Sequence, residues 1–268
     1  MDCSSRALVM GILNRTPDSF SDGGQLADTD AAVERGLQMV AEGADILDVG
    51  GESTRPGSDP VPPYEEMART VPVVRGLVAE LPEVPVSIDT RKAEVAAEAL
   101  AAGASIVNDV SAGRDPDMFG VVAATGAGMV LMHMLGEPKT MQVEPRYGDV
   151  VAEVQKFLGE RIEAAVLAAV DRERLCIDPG IGFGKTLEHN LALMRNIRSL
   201  LELGRPIMAG PSRKAFVGKL LDLEVDERLE GTAGAVAWLV GQGVRVVRVH
   251  DVKQMARVVR VVDAIRGT

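Results

Sequence analysis

The chain has 268 residues, 46% of them hydrophobic, enough to bury a full core, and no low-complexity stretch or long linker divides it, so one domain over residues 1–268 is expected. A net charge of −10 and a pI near 4.9 argue against nucleic acid or an anionic membrane as partner, because both require a basic footprint. Cys3 and Cys176 are too few for a disulfide framework, the N-terminus shows no signal pattern, and no apolar run approaches the ~20 residues that span a bilayer, so a cytoplasmic protein is expected.

Short apolar runs at Ala7 to Leu13, Asp45 to Val49, Val84 to Ile88, Ser105 to Val107, Gly128 to Met132, Leu175 to Ile177, Pro206 to Ala209 and Val244 to Val249 read as strands. Between them, apolar residues recur at spacings of three and four over Thr29 to Glu42, Glu65 to Glu80, Arg91 to Ala102, Val150 to Val170, Glu188 to Leu203, Glu227 to Gln242 and Val252 to Ile265, which predicts helices. About eight strand-helix repeats in a chain of this length predict an α/β fold, a (β/α)8 TIM barrel, with an open doubly wound sheet as runner-up. Cys176, inside an apolar run, reads as buried.

The same end of nearly every strand carries groups that make poor core. In chain order these are Asn14, then Gly51-Glu52-Ser53-Thr54-Arg55, Asp89, Asn108-Asp109, His133, Asp178, Ser212-Arg213-Lys214, and Arg248 with His250. In a barrel they would ring one mouth, where active sites of this architecture sit. The run from Asp178 to Thr186 holds three glycines, a lone aromatic and a lysine. It is not a phosphate-binding P-loop, since Gly180 and Gly184 are separated by three residues rather than four.

Asp89, Asn108 and Asp178 come from three different strands and supply two carboxylates and an amide, which suits a planar heterocycle with a guanidine-like donor edge, such as a pterin. Arg248 would stack on such a ring, with Met132 and Phe183 as apolar contacts. The competing reading makes Asp89 and Asn108 ties for loop backbone and Arg248 a surface ion-pair partner. A second set, Asn14, Arg55 and His250 with Lys185 or Arg213 and the Ser53 and Thr54 hydroxyls available, describes a phosphate or diphosphate site, where Asn14 offers an oxygen to Mg²⁺. The Gly-, Pro- and Ser-rich segments Asn14 to Gly24 and Gly51 to Pro60 read as loops that close over substrate. His133 has no second His or Cys at ligand spacing, and neither a Gly-x-Ser-x-Gly elbow nor a Cys-His pair supports a hydrolase nucleophile.

Taken in order, the motifs Gly11-Ile12-Leu13-Asn14, Asp18-Ser19-Phe20-Ser21-Asp22-Gly23-Gly24, Asp48-Val49-Gly50-Gly51-Glu52-Ser53-Thr54-Arg55-Pro56-Gly57, Ser87-Ile88-Asp89-Thr90, Asn108-Asp109, Met132-His133, the Asp178 run, Ser212-Arg213-Lys214 and Arg248-Val249-His250 resemble the dihydropteroate synthase family of the folate pathway. The resemblance runs from about Val9 to Val262. It implies a barrel enzyme that joins 6-hydroxymethyl-7,8-dihydropterin diphosphate to 4-aminobenzoate by an SN1-like substitution, with Mg²⁺ as cofactor. By the resemblance, the pterin pocket is Asp89, Asn108, Met132, Asp178, Lys214 and Arg248, of which Asp89, Asp178, Lys214 and Arg248 carry catalysis. The diphosphate site is Asn14, Thr54, Arg55, Arg248 and His250, with Asn14 on the metal and Asp22 on the closing loop. The aminobenzoate site is Thr54, Pro56, Phe183, Ser212 and Lys214, and sulfonamides are expected as competitors there. A homodimer is implied, with Ala233 to Val240 and Val258 to Ile265 as candidate faces.

Arg15 stands where the family usually has a small apolar residue, Pro211 precedes Ser212, and Gln25-Leu26 replaces a common aromatic. Two other readings share the barrel: a methyltransferase domain that hands a methyl group to a corrinoid partner, and a paralogue that binds pterin without turnover. The first has no use for Thr54-Arg55 or Ser212-Arg213-Lys214.

Overall fold

The computed structural model describes residues 6–15, 29–54 and 57–267. Eight parallel strands form one sheet: β1 (Leu8–Asn14), β2 (Ile46–Gly50), β3 (Val86–Asp89), β4 (Ile106–Asp109), β5 (Gly128–Met132), β6 (Leu175–Asp178), β7 (Met208–Ala209) and β8 (Val246–Val249). Strands β1 to β6 pair in sequence order, β7 pairs with β8 and β8 with β1, and between β6 and β7 an isolated parallel bridge, Ile177 to Ile207 on the approach to β7, spans the remaining gap. The sheet thus closes on itself as the expected (β/α)8 barrel.

Parallel neighbours need a crossover between them, and helices supply it. They are α1 (Thr29–Glu42), α2 (Pro63–Glu80), α3 (Ala93–Ala101), α4 (Met118–Thr125), α5 (Val150–Leu167), α6 (Leu187–Arg195), α7 (Ala215–Leu221), α8 (Leu229–Gly241) and α9 (Val252–Arg266). Local signals set several starts. Pro63 opens α2, where a missing N–H costs nothing; the Asp149 carboxylate accepts from Val151 and Ala152 N–H at the head of α5; Thr186 and His189 form a reciprocal cap on α6. The core lies between strands and helices, where Leu47, Val49, Ile88, Val107, Leu131 and Ile177 are fully buried.

Alternate strand residues face the barrel axis, and their chemistry changes along it. At the amino-terminal end Leu8, Met10, Ile46, Val130, Met208 and Val246 pack into an apolar plug. At the carboxyl end the register sets Gly50 beside Asp89, Asp89 beside Asn108, and Met132 beside Asp178. The plug supplies burial, and the opposite mouth is left free to carry polar groups.

The structure differs from the sequence reading at several points. Strand ends shift by one or two residues, so Asn14, Asp89, Asn108 and Asp178 lie within strands rather than after them. Helices α4 and α7 were not anticipated, and the stretch expected as one helix over Glu188 to Leu203 is α6 followed by a 3-10 helix, Ile197–Leu203. Cys176 is only partly buried, because it faces the barrel interior at the plug and not the helix layer. Asp22, Arg55 and Pro56 lie outside the described residues, as do Cys3 and Gln25-Leu26.

Candidate active site

A cavity of ≈ 870 Å³ opens at the carboxyl ends of the strands. It brings together every described residue expected at the site: Asn14 from β1, Thr54 after β2, Asp89, Asn108, Met132, Asp178, Phe183, Ser212, Lys214, Arg248 and His250. A second depression, of ≈ 710 Å³, lies on the outer face of α5 between Gln155, Lys156, Glu160, Leu167 and Leu203. It holds none of these groups.

The wall of the cavity is organised around Arg248, whose Nε donates to Asp48 Oδ2 and whose Nη2 donates to Asp89 Oδ2, both at 2.6 Å. Asn108 Nδ2 donates to the same Asp48 oxygen at 3.0 Å. So Arg248 does form ion pairs, but buried ones at the head of the barrel, which corrects the surface reading. Burial works against the Arg248 charge, yet Asp48 and Asp89 outweigh it and hold the pKa above its ordinary value. Asp89 moves up, chiefly through burial, with Asp48, Glu66 and Asp109 adding to the rise and Arg248 opposing it. Asp89 Oδ1 and Asn108 Oδ1 are buried acceptors without a hydrogen-bond partner among the described residues. A ligand with adjacent N–H groups would satisfy both, so these side chains do more than tie down a loop.

Asp178 accepts from Gly180 N–H at 2.7 Å, and burial pushes its pKa up to about 6 against the pull of that bond and of Lys214, Lys185 and Arg248. Beside it the chain needs glycine. Gly180 has φ +67°, and a Cβ there would stand 1.9 Å from the His133 carbonyl oxygen. Lys214 Nζ lies 3.9 Å from the centre of the Phe183 ring, a cation on an aromatic face. Met132 and Phe183 pack with Val110, Met134 and Met141 as the apolar side of the cavity.

Two of the cations expected near an anion have other duties. Lys185 is buried, and its ammonium contacts His133 Nδ1 at 3.0 Å and the Phe183 carbonyl at 2.9 Å. Burial lowers its pKa to about 7, and burial, then the Lys185 charge, keeps His133 neutral with a pKa near 3. Arg213 has φ +55° and is held by a two-point pair with Asp251 at 3.0 and 2.6 Å, while its N–H donates to Thr232 Oγ1. The turn it fixes presents Ser212 and Lys214 to the cavity. Ser212 Oγ lies 3.0 Å from His250 Nδ1, and burial, followed by Arg213 and Arg248, lowers the His250 pKa to about 3.

Glu52 anchors the segment leading to Thr54 by pairing with Arg91 at 2.9 Å and Lys92 at 2.6 Å and accepting from Val61 N–H. Arg15 turns to Thr29 Oγ1 at the start of α1. Asp48, fully buried, is the functional residue that pattern reading left without a role. Its signal was present: a charged side chain on the inward face of an otherwise apolar strand needs a buried partner.

The family model for pterin binding enzymes matches residues 10–250. The dihydropteroate synthase of Synechocystis sp. is 45% identical over 266 residues, covering 98% of this chain and 92% of its own length, and that of Bacillus subtilis is 46% identical over 97% and 89%. Among solved structures, Yersinia pestis dihydropteroate synthase in a sulfonamide complex superposes with a TM-score of 0.96 at 41% identity, covering 100% of this chain and 97% of that one. The Xanthomonas albilineans enzyme gives 0.92 at 46% identity with 4-aminobenzoic acid (98% and 94% covered) and 0.90 at 43% with 7,8-dihydropteroate (100% and 96%). With this identity over nearly its whole length, the chain belongs to the pterin-binding enzyme family and, within it, to the dihydropteroate synthases.

Proposed function

We propose that this chain joins 6-hydroxymethyl-7,8-dihydropterin diphosphate to 4-aminobenzoate, releasing diphosphate and 7,8-dihydropteroate. The observation that carries the residue roles is the pair of buried acceptors without a partner among the described residues, Asp89 Oδ1 and Asn108 Oδ1, in one cavity with Asp178 and Arg248. Three acceptors at one end of the cavity match the amino and ring N–H groups of a pterin, and Arg248 and Met132 supply contacts for its plane. Lys214 and Phe183 stack on each other in the lining, and we take them as the boundary between this end and an outer part of the cavity with Thr54 and Ser212. That outer part is assigned to 4-aminobenzoate, and sulfonamides, which mimic it, are expected to compete there.

In the reaction the bond from the exocyclic methylene carbon to the diphosphate oxygen breaks, and a bond to the arylamine nitrogen forms with loss of a proton. Electron density from the dihydropterin ring spreads the developing positive charge. Ionised Asp178 and Asp89 stabilise the cationic ring in a buried site, where fixed charges act strongly. A weakly basic arylamine then attacks without a strong general base. His250 serves the leaving group as a neutral ring. With Nδ1 accepting from the Ser212 hydroxyl, its proton sits on Nε2 as a donor to diphosphate.

The residues present fit Mg²⁺ as a guest that arrives with substrate. Among the described residues no three His, Cys, Asp or Glu side chains converge as a metal site, whereas Asn14 offers a neutral oxygen. Gly50 keeps room for it, since a Cβ there would lie 3.1 Å from Asn14 Oδ1. Held by Asn14 together with diphosphate oxygens and water, the ion would supply charge neutralisation on the leaving group. A cytoplasmic location suits an oxidisable dihydropterin substrate. A homodimer suits the exposed Trp238, Val261 and Ile265 on α8 and α9.

The test is diphosphate release from dihydropterin diphosphate and Mg²⁺, with and without 4-aminobenzoate. Release that needs 4-aminobenzoate and yields dihydropteroate is the expected outcome. Pterin diphosphate binding with no product would replace the enzyme by a non-catalytic pterin-binding protein.

A further inference from the structure

Asp48 sits on β2, fully buried, beneath the cavity and outside its lining. One of its oxygens, Oδ2, receives two donors from two other strands, Arg248 Nε at 2.6 Å and Asn108 Nδ2 at 3.0 Å. An ionised carboxylate can only accept. A guanidinium can only donate, so the Arg248 contact keeps that oxygen an acceptor. The Asn108 amide therefore has one allowed orientation: its nitrogen faces Asp48, and its oxygen is left without a partner among the described residues. Without Asp48, the two ends of that amide would be nearly equivalent in shape, and either could meet the ligand.

We propose that Asp48 is a positioning residue that fixes the Asn108 amide with its oxygen free for substrate, and thereby makes the cavity select a ring bearing a 2-amino group over one bearing a 2-oxo group. The proposal rests on the pterin reading of the cavity. A pterin offers a 2-amino donor and an adjacent N3–H donor. Its 2-oxo counterpart, a lumazine, presents a carbonyl at position 2, which would face the fixed Asn108 oxygen as acceptor against acceptor. Asp89 and Asp178 also resist that carbonyl, so Asp48 accounts for one share of the discrimination. Arg248 is restrained by the same oxygen, and with Asp89 on its other nitrogen its guanidinium cannot swing away from the cavity.

The experiment measures binding of 6-hydroxymethylpterin and of 6-hydroxymethyllumazine by calorimetry, with no metal and no turnover required. Wild-type protein is expected to prefer the pterin by roughly 100-fold or more, since a buried acceptor set rejects an analogue that replaces the 2-amino donor by an acceptor. Asp48→Leu keeps the branched shape at somewhat greater bulk and removes the acceptor, and the preference is expected to fall about tenfold, one hydrogen bond's worth of discrimination. Asp48→Asn keeps an oxygen for both donors and is expected to stay within about twofold of the wild-type ratio. A purely structural role would weaken both ligands together in Asp48→Leu and leave the ratio unchanged, and that result overturns the proposal while leaving the pterin pocket standing. Equal binding of the two ligands by the wild type overturns the pocket reading itself, and the proposal with it. Should Asp48→Leu fail to fold because Arg248 has lost one partner, Asp48→Leu/Arg248→Leu removes the cation along with the anion, and its ratio compared with that of Arg248→Leu alone isolates the share of Asp48.

Discussion

Asp178 is the residue where structure and chemistry make the clearest demand on pH. Ionised, it accepts N–H groups from a pterin; protonated, it loses one acceptor and its attraction for a cationic ring. With burial holding its pKa near 6, the free site is mostly protonated at pH 5 and mostly ionised at pH 7.5. Affinity for 6-hydroxymethylpterin is therefore expected to weaken as pH falls through about 6, in a range where Asp89, pushed up to about 7 by burial, also titrates, and Asp178→Asn is expected to remove the Asp178 part of that arm while lowering turnover more than diphosphate binding. Calorimetry across pH 5 to 8 checks the first part. A wild-type profile that is flat through this range would remove Asp178 from the pterin contacts. Stability of the ligand-free protein runs the other way. The folded state keeps this proton up to about pH 6, whereas an unfolded Asp releases it near 4, so stability from Asp178 declines as pH rises between those values and is restored by ligand. Such shifts are invisible in sequence, because they come from burial. What was legible was residue type at strand ends. Asp48 escaped notice because its partners Asn108 and Arg248 lie 60 and 200 positions away.

At the scale of the element, the β6 loop shows what its glycines are for. Gly180 and Gly184 let the chain pass against the backbone of the β5 loop, where a Cβ would meet the carbonyl oxygens of His133 and Leu135 at 1.9 and 2.6 Å. Close passage is what allows Lys185 to reach the His133 ring and the Phe183 carbonyl, and so to hold Phe183 under Lys214. Gly180→Ala is expected to destabilise by roughly 3 kcal/mol or more, since strain and a backbone clash add. Gly126 has nearly the same φ, +66°, but open space where its Cβ would go, so Gly126→Ala is expected to cost only about 1 kcal/mol. Urea unfolding of both variants separates the two causes. Similar small costs would mean that the loop relaxes and the close approach is not required. The glycine spacing of this loop was legible; other elements were not. Helix α4 reads Met-Phe-Gly-Val-Val-Ala-Ala-Thr, nearly apolar on every side, and α7 spans seven residues, too short for a helical period to register. Cys176 was misjudged because an apolar strand in a barrel has two buried sides, and apolar runs do not distinguish the plug from the helix layer.

Over the whole molecule, the barrel divides stability from chemistry along its axis. The apolar plug and the helix layer support the amino-terminal half, and the cavity occupies the carboxyl half. Each helix that follows a strand starts near the mouth and runs back toward the plug. Val261 and Ile265, one turn apart near the end of α9, are 60% and 80% exposed, and Trp238 near the end of α8 is 49% exposed. They therefore lie toward the end away from the cavity. Large apolar side chains exposed at one end of a chain with a net charge of −10 are better covered by a second copy, as in the homodimer proposed above, which must bring the same face in a two-fold pairing, than left in water. In the proposed homodimer, Val261→Glu/Ile265→Glu is expected to give a monomer, because two like charges per subunit would meet across a self-complementary contact. Turnover per chain is expected to stay within about twofold, since no group from this end reaches the cavity, and stability to change little because both positions already face outward. Sedimentation equilibrium at micromolar protein checks the state, and the diphosphate-release assay checks the rate. A variant that stays dimeric with an unaltered mass would move the contact to Trp238 on α8, whereas a monomer that loses activity would mean that each site borrows support from its neighbour.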